Sequence, residues 1–455
     1  MPILPIDSGR YGSSEIRKIF EEENRLRYQL DFEAQVALSQ GKLNLIPLDA
    51  SREIARITRS NKITMKKIKD LESITEHDTA SLVQAISEYC SSSTKPWIHY
   101  GLTSNDVVDT STSMQLKEAF EIIEPKILKL ISLLISKVRR YNSLPSVGRT
   151  HGQHASIISF GLKFAVWANE LSYHVERIEE GKKRFLLCKT LGVVGTGSLM
   201  GSKALDVQKS VAKSLGLYTI EAATQVIPRE RLAEVQFVIS LIGCTLDKIA
   251  IEIRNLQRTE IGEVEEPFKK GQLGSSAVPV KRNPIKSERI SSLARILRSF
   301  SNIAQENISL WHERDLSNSA NERFTIPMGV ILLDEMINSM IKVIEGLSVN
   351  RQKILDNINK TKGRIFAEFI LEALVKKGIP RMKAYDNIQH VAFETLPDDK
   401  DFKEAIMQDS SIGAHLSQNE LRTIFDPNTH LAASTRIIKD VIRKAEQVRK
   451  NYKGR

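Results

Sequence analysis

The sequence predicts an all-α protein of three helical domains around a long central helix bundle, and three observations carry that expectation. Gly (23) and Pro (14) are few for 455 residues, well under the roughly 12% of average usage, which disfavours turn-dense β folds. Long segments place apolar residues at 3.6-residue spacing. One of them, Arg231–Leu256, spreads Val235, Phe237, Val238, Ile239, Leu241 and Ile242 around its circumference. That is more apolar surface than one chain easily covers, so the bundle is expected to oligomerise.

Taken in order, Ser13–Gln40 carries Ile16, Ile19, Leu26, Leu30 and Ala34 at helical spacing behind a Ser13 or Ser14 cap. Shorter helical pieces follow to residue 90. Residues 95–111, KPWIHYGLTSNDVVDTS, lack periodicity and read as a loop and boundary, which sets an N-terminal domain at 1–104. Pro125–Tyr141, Ile157–Leu187, Glu230–Arg258, Asn283–Leu310 and Met328–Asn359 read as the long helices of a central domain at 105–360. Glycine-rich Leu191–Gly201 interrupts them, as does 265–284, a connector of Gly, Ser, Pro and Lys. A loop that long inside a bundle is usually functional or mobile. Shorter helices after Gly363 define a C-terminal domain at 361–455.

Hydrophobic residues at 41% and charged residues at 27% exclude a disordered chain and an integral membrane protein. The net charge of +11 fits nucleic acid, an anionic membrane surface or small polyanionic substrates. Part of it is the basic stretch Arg436–Arg455, opposed only by Asp440 and Glu446, which suits a solvated helix face. Cys90, Cys188 and Cys244 are far apart in sequence and fit free thiols in a reducing compartment. The N-terminus lacks a signal-peptide pattern, and charge-free runs such as Thr190–Ser202 are too short to span a bilayer. A soluble, cytoplasmic protein is expected.

Three clusters hold the candidate chemistry. Gly274–Pro284, GSSAVPVKRNP, offers Ser275 and Ser276 with Lys281 and Arg282 on a flexible segment that can close over an anion; a solvated basic connector fits the same residues. Gly148–Ala155, GRTHGQHA, sets His151 and His154 just before a long helix, where a neutral imidazole suits acid–base work. Their spacing invites zinc, but without HExxH, a Cys partner or an adjacent carboxylate no metal site is expected. Trp311–Arg323, WHERDLSNSANER, joins Arg314, Ser319 and Arg323 in a pattern suited to phosphate or carboxylate, or to a charged helix end. His77 and His99 sit in the polar contexts TEHD and WIHYGLTSND, whereas mid-helix His174 reads as a packing or surface residue.

GSSAVPVKRNP resembles the signature loop of the fumarase/aspartase superfamily, and its KRNP ending followed by SER resembles adenylosuccinate lyases. GRYGS, EHD at 76–78, HYGLTSNDVVDT, GRTHGQHA, TQVIPRER at 224–231, ERDLSNSANER and GIPRMKAYDNIQ occur in the order those enzymes show. The resemblance implies anti β-elimination of fumarate from adenylosuccinate and from the succinyl-carboxamide ribotide of purine synthesis, without a cofactor. It implies a homotetramer whose active sites each draw on three chains.

By position, the resemblance makes Ser275 the base, with Ser276 as fallback, and His151 the acid at the departing nitrogen. Lys281 and Asn283 face the developing carboxylate charge. Thr103 and Ser104 match positions that hold a succinyl carboxylate, Arg10 and Tyr11 the pair that reaches the phosphate, and His77, Asp78, Thr150, Gln225, Arg289, Arg314, Ser319 and Arg323 further substrate contacts. Val278, Val280 and Glu76 depart from the usual pattern. Argininosuccinate lyase and fumarase share the serine loop and the TH motif, but KRNP-SER, the early RY and SANER argue against them. A non-catalytic scaffold would not need Ser275, His151 and Lys281, and nucleic-acid binding lacks a basic groove motif or interleaved aromatics.

Overall fold

The computed structural model describes residues 4–269, 271–396 and 400–453. Lys270 of the 265–284 connector lies outside the described residues, as do residues 1–3 of the first predicted domain and 454–455 of the last. The chain is all-α: helices account for 67% of it, and among the described residues the strands form three two-stranded sheets.

The residues divide into two compact units, each assembled from three stretches of chain. The first holds residues 1–127, 174–246 and 292–338, and the second 128–173, 247–291 and 339–455. The helices Ser104–Tyr141, Phe160–Phe185, Glu230–Leu256, Ile285–Glu306 and Ser319–Gly346 contribute residues to both units. At 38 residues the first is about 57 Å long.

Four expectations about elements change. The predicted opening helix breaks at Glu21, whose extended backbone separates Ser14–Phe20 from Glu22–Lys42. The helix expected from Pro125 begins at Ser104, in the segment read as a loop, and Pro125 lies inside it. Its start is fixed by Asp106, whose Oδ2 accepts the Thr103 N–H at 2.9 Å. The helix expected from Ile157 begins at Phe160, because 145–159 form an antiparallel hairpin. The helix expected to reach Asn359 ends at Gly346, where Ser348–Val349 pair with Val264–Glu265, and a new helix follows the Asn350 cap.

Ser319–Gly346 is long and apolar enough to cross a membrane by composition, but 72% of its most apolar window is buried within the protein. Met336, Ile337 and Met340 are 0% exposed, as befits a core helix. In the second unit, Val147 and Ile157 of the hairpin join Ile370, Phe402, Ile412 and Leu421 in one apolar core.

His174, read from its mid-helix position as packing or surface, is a buried packing residue. Its Nε2 lies 2.8 Å from Thr245 Oγ1, and Arg177 Nη1 lies 3.1 Å from its Nδ1. A guanidinium only donates, so Nδ1 accepts and the proton sits on Nε2. Burial, reinforced by Arg177, pushes its pKa down to about 4. A depressed histidine contributes stability that is present above its unfolded pKa of about 6.5 and is lost as pH falls through the folded value. Between about pH 6.5 and 4 the unfolding free energy should therefore drop by on the order of 3 kcal/mol on this account. Urea titrations of wild type and His174→Gln across that range should show a flatter pH slope in the variant; equal slopes would contradict this assignment.

Candidate active site

The first unit contains a cleft of about 350 Å³, within the range of small-molecule sites. Its charged walls are largely committed to one another. Asp109, at 5% exposure, takes both Arg229 Nη atoms at 3.0 Å and the Ile227 N–H at 2.8 Å, and Arg229 Nε lies 3.0 Å from Glu322 Oε1. Asp78 Oδ2 sits between Arg25 Nη2 at 3.5 Å and Arg323 Nη2 at 3.3 Å. His77 caps the helix Asp78–Glu88: its Nδ1 accepts the Ala80 N–H at 3.2 Å, which leaves Nε2 as the proton-bearing nitrogen.

Arg314 differs from these arginines. Its Nη1 donates to neutral acceptors, Gln225 Oε1 at 3.3 Å and Ser104 Oγ at 3.5 Å. Burial lowers its pKa from the usual guanidinium range, yet an arginine stays protonated, so an anion arriving here gains its charge directly. Gln225 Nε2 in turn donates to Thr103 Oγ1 at 3.2 Å, which links three separate sequence motifs. Ser104, His77 and Arg314 also line an adjoining cleft with Thr103, Gln225 and His99. His99 holds a left-handed φ of 58° with Nδ1 2.6 Å from Glu33 Oε1. Burial opposes its charge, but Glu33 outweighs burial and raises its pKa.

The floor beneath Thr103 and Ser104 is fully buried. Asp106 receives the Lys189 ammonium and the N–H groups of Leu191 at 3.2 Å and Gly192 at 3.0 Å. The glycine-rich segment at 191–201 is thereby fastened to the helix start that presents Ser104.

The second unit carries a different set of groups. Thr150 pairs with Gln153 across a two-residue turn, His151-Gly152, with φ of 52° and 76°. Two successive positive φ values define the type I′ turn, which matches strand twist and suits Gly strongly and His tolerably. His151 thus stands exposed at a hairpin tip, with the strand Gln153–Ser159 between it and the helix it was expected to precede directly.

The 265–284 loop is rooted at both ends by Glu266, whose carboxylate accepts the Ser287 N–H at 2.7 Å and the Lys286 N–H at 3.2 Å at the start of the next helix. Its tip folds on itself. Asn283 Nδ2 donates to Gly274 O at 2.9 Å, and a Cβ at Gly274 would meet Lys281 O at 1.9 Å, so only glycine fits there. Ser275 Oγ accepts the N–H groups of Val278 at 3.1 Å and Ala277 at 3.3 Å, donors that favour a negatively charged oxygen. Arg282 is engaged by Glu265 at 2.8 Å and the Phe268 ring, whereas Lys281 is exposed. Leu273 and Val280, each 86% exposed, stand out from the loop.

Known proteins place these motifs. A family model described as Lyase matches residues 9–297, and one described as Adenylosuccinate lyase C-terminus matches 363–441. An adenylosuccinate lyase of Methanocaldococcus jannaschii is 39% identical over 97% of this chain and 96% of its own, and one of Pyrococcus abyssi is 39% identical over 98% and 99%. The chain belongs to the adenylosuccinate lyase family. It is therefore a lyase. A solved fumarate lyase of a Mesorhizobium species superposes with a TM-score of 0.87 at 26% identity, covering 94% of this chain and 97% of its own. The 3-carboxy-cis,cis-muconate lactonizing enzyme of Pseudomonas putida does so with 0.87 at 25%, covering 98% and 100%.

In this lyase the sequence-predicted residues fall into two groups. His77, Asp78, Ser104, Arg314, Ser319 and Arg323 line the first cleft, and Thr103 and Gln225 the adjoining one. Arg10 and Tyr11 lie in the first unit on the segment before Ser14 and line neither cleft. Thr150, His151, Ser275, Ser276, Lys281, Asn283 and Arg289 belong to the second unit, Arg289 within the helix Ile285–Glu306. Sequence reasoning missed Arg25, Asp109, Arg229 and Glu322 in the cleft walls. Three of them had a signal: Asp109 lies in NDVVDT, Arg229 in PRER and Glu322 in SANER, motifs that were noted for other residues. Among the described residues no three His, Cys, Asp or Glu side chains gather as a metal site.

Proposed function

We propose that this lyase eliminates fumarate from adenylosuccinate to give AMP, and from the succinyl-carboxamide ribotide (SAICAR) to give the carboxamide ribotide (AICAR), in purine nucleotide synthesis. The observation that carries the proposal is the 39% identity to adenylosuccinate lyases along nearly the whole chain. A substrate bearing a phosphate and two carboxylates brings about four negative charges, which suits a cleft walled by arginines.

In this reading Ser275 removes the proton beside the carboxylate. An isolated serine is a weak base, and the two N–H groups at its Oγ lower the cost of carrying the charge. Lys281 and Asn283 stabilise the dianionic intermediate, and exposed His151 protonates the departing nitrogen. Thr103, Ser104, Gln225 and Arg314 hold a carboxylate, Arg10 and Tyr11 the phosphate, and His77, Asp78, Thr150, Ser276, Arg289, Ser319 and Arg323 complete the substrate contacts. Departure and proton transfer need only these side chains, so no cofactor enters.

The enzyme works as a cytoplasmic homotetramer whose sites combine residues of different chains. Phe237 and Ile251 on the helix Glu230–Leu256, 52% and 45% exposed in one chain, support that assembly. Incubation with adenylosuccinate in EDTA, followed by absorbance, should yield fumarate and AMP in equal amounts. Activity lost in EDTA and restored by added metal would sink the mechanism, and no turnover at all would sink the substrate.

A further inference from the structure

Glu263 belongs to neither set of candidate residues, and its surroundings in the second unit set it apart. Its side chain is 0% exposed, and the single oxygen Oε1 accepts from Arg149 Nη2 at 2.6 Å and from Asn357 Nδ2 at 2.8 Å. The backbone is tied as well: its N–H donates to Leu256 O and its carbonyl accepts the Asn350 N–H, both at 2.9 Å. A carboxylate buried this deeply is costly unless it is paired and hydrogen-bonded, and apolar residues of the same volume commonly serve stability as well or better. The pairing is also incomplete. Glu263 Oε2, Arg149 Nη1 and His154 Nδ1 are buried without hydrogen-bond partners, a cost that proteins tend to retain where function requires it.

What Glu263 joins supplies the function. Arg149 lies two residues before His151, at the register shift between Gly148 and Arg149, and stands opposite His154 in the hairpin. On its other side Glu263 runs directly into Val264–Glu265, and Glu265 Oε1 holds Arg282 at 2.8 Å within the loop that bears Ser275. One carboxylate is thus bonded to the hairpin strand of the proposed acid and lies two residues from the root of the loop of the proposed base.

We propose that Glu263 is a positioning residue, whose buried pair with Arg149 holds the His151 turn, and through Val264–Glu265 the root of the Ser275 loop, in the places from which each reaches its own site. The inference rests on the proton-transfer roles proposed above. Proton transfer depends steeply on placement, and a shift of about 1 Å can cost roughly a hundredfold. Substrate binding, assigned chiefly to groups in the first unit, should change little.

The test uses the full-length enzyme with adenylosuccinate. Glu263→Gln keeps the volume and removes the charge; kcat of the folded enzyme is expected to fall about a hundredfold while KM stays within about threefold, and Tm falls because Arg149 loses its carboxylate. Arg149→Met should produce a similar loss, and the double variant should be little worse than either single one, because both disable one device. Should these variants fold poorly, Arg149→Lys keeps the charge but not the planar fork, and is expected to lose about tenfold in kcat as a folded protein. The proposal is overturned by folded variants with kcat near wild type, by a change confined to KM, by a kcat loss that only tracks the unfolded fraction, or by single losses that multiply in the double variant. Ser275→Ala and His151→Ala run alongside: if they stay active, the proton-transfer roles fail rather than the positioning of the hairpin.

Discussion

Ser275→Ala is expected to lower kcat at least about a hundredfold while the substrate still binds, since loss of a general base typically costs that much. The two loop serines are neighbours in sequence but not in environment. Ser275 Oγ receives the N–H groups of Ala277 and Val278 and is partly enclosed, whereas Ser276 is exposed. Backbone donors aimed at an oxygen favour its charged form, which is the form a serine base needs. Ser276→Ala should therefore leave most of kcat intact. Steady-state kinetics on the two variants decide the matter: a dead Ser276→Ala beside a nearly normal Ser275→Ala would reverse the assignment.

The long helices were legible in the sequence because their buried residues are apolar and recur at the helical period. Ser104–Tyr141 shows where that signal fails. Its first two turns bury Asn105, Asp106, Asp109, Thr110 and Ser111, so the face turned inward is polar and periodicity of apolar residues is blind to it. The polar face exists because Asp106 and Asp109 meet Lys189 and Arg229, partners many residues away whose pairing no local pattern announces. The hairpin at 145–159 escaped for a related reason. Strand alternation is short there, Ile157 and Ile158 stand together, and His151-Gly152 is a less familiar type I′ pair than Asn-Gly. Motif order located residues of both site groups, yet it could not tell that His151 sits at the tip of a hairpin turn, or that Arg314 rests on neutral acceptors while Arg229 is matched by acids.

Mixing two inactive enzymes should restore activity. The proposed tetramer builds each site from several chains, with His151 and the Ser275 loop contributed by different ones. His151→Ala tetramers retain intact Ser275, and Ser275→Ala tetramers retain intact His151. If the variants exchange chains at random from an equal mixture, each of the two contributors to a site is the right variant half the time, so roughly a quarter of wild-type activity should return. The exposed positions of His151 at its hairpin tip and of Leu273, Val278 and Val280 on the loop suit parts that meet another chain. Native mass spectrometry of variants distinguished by isotope labelling reports the exchange independently of turnover. Complete exchange without recovered activity would place both residues in the site of one chain and would end the shared-site reading.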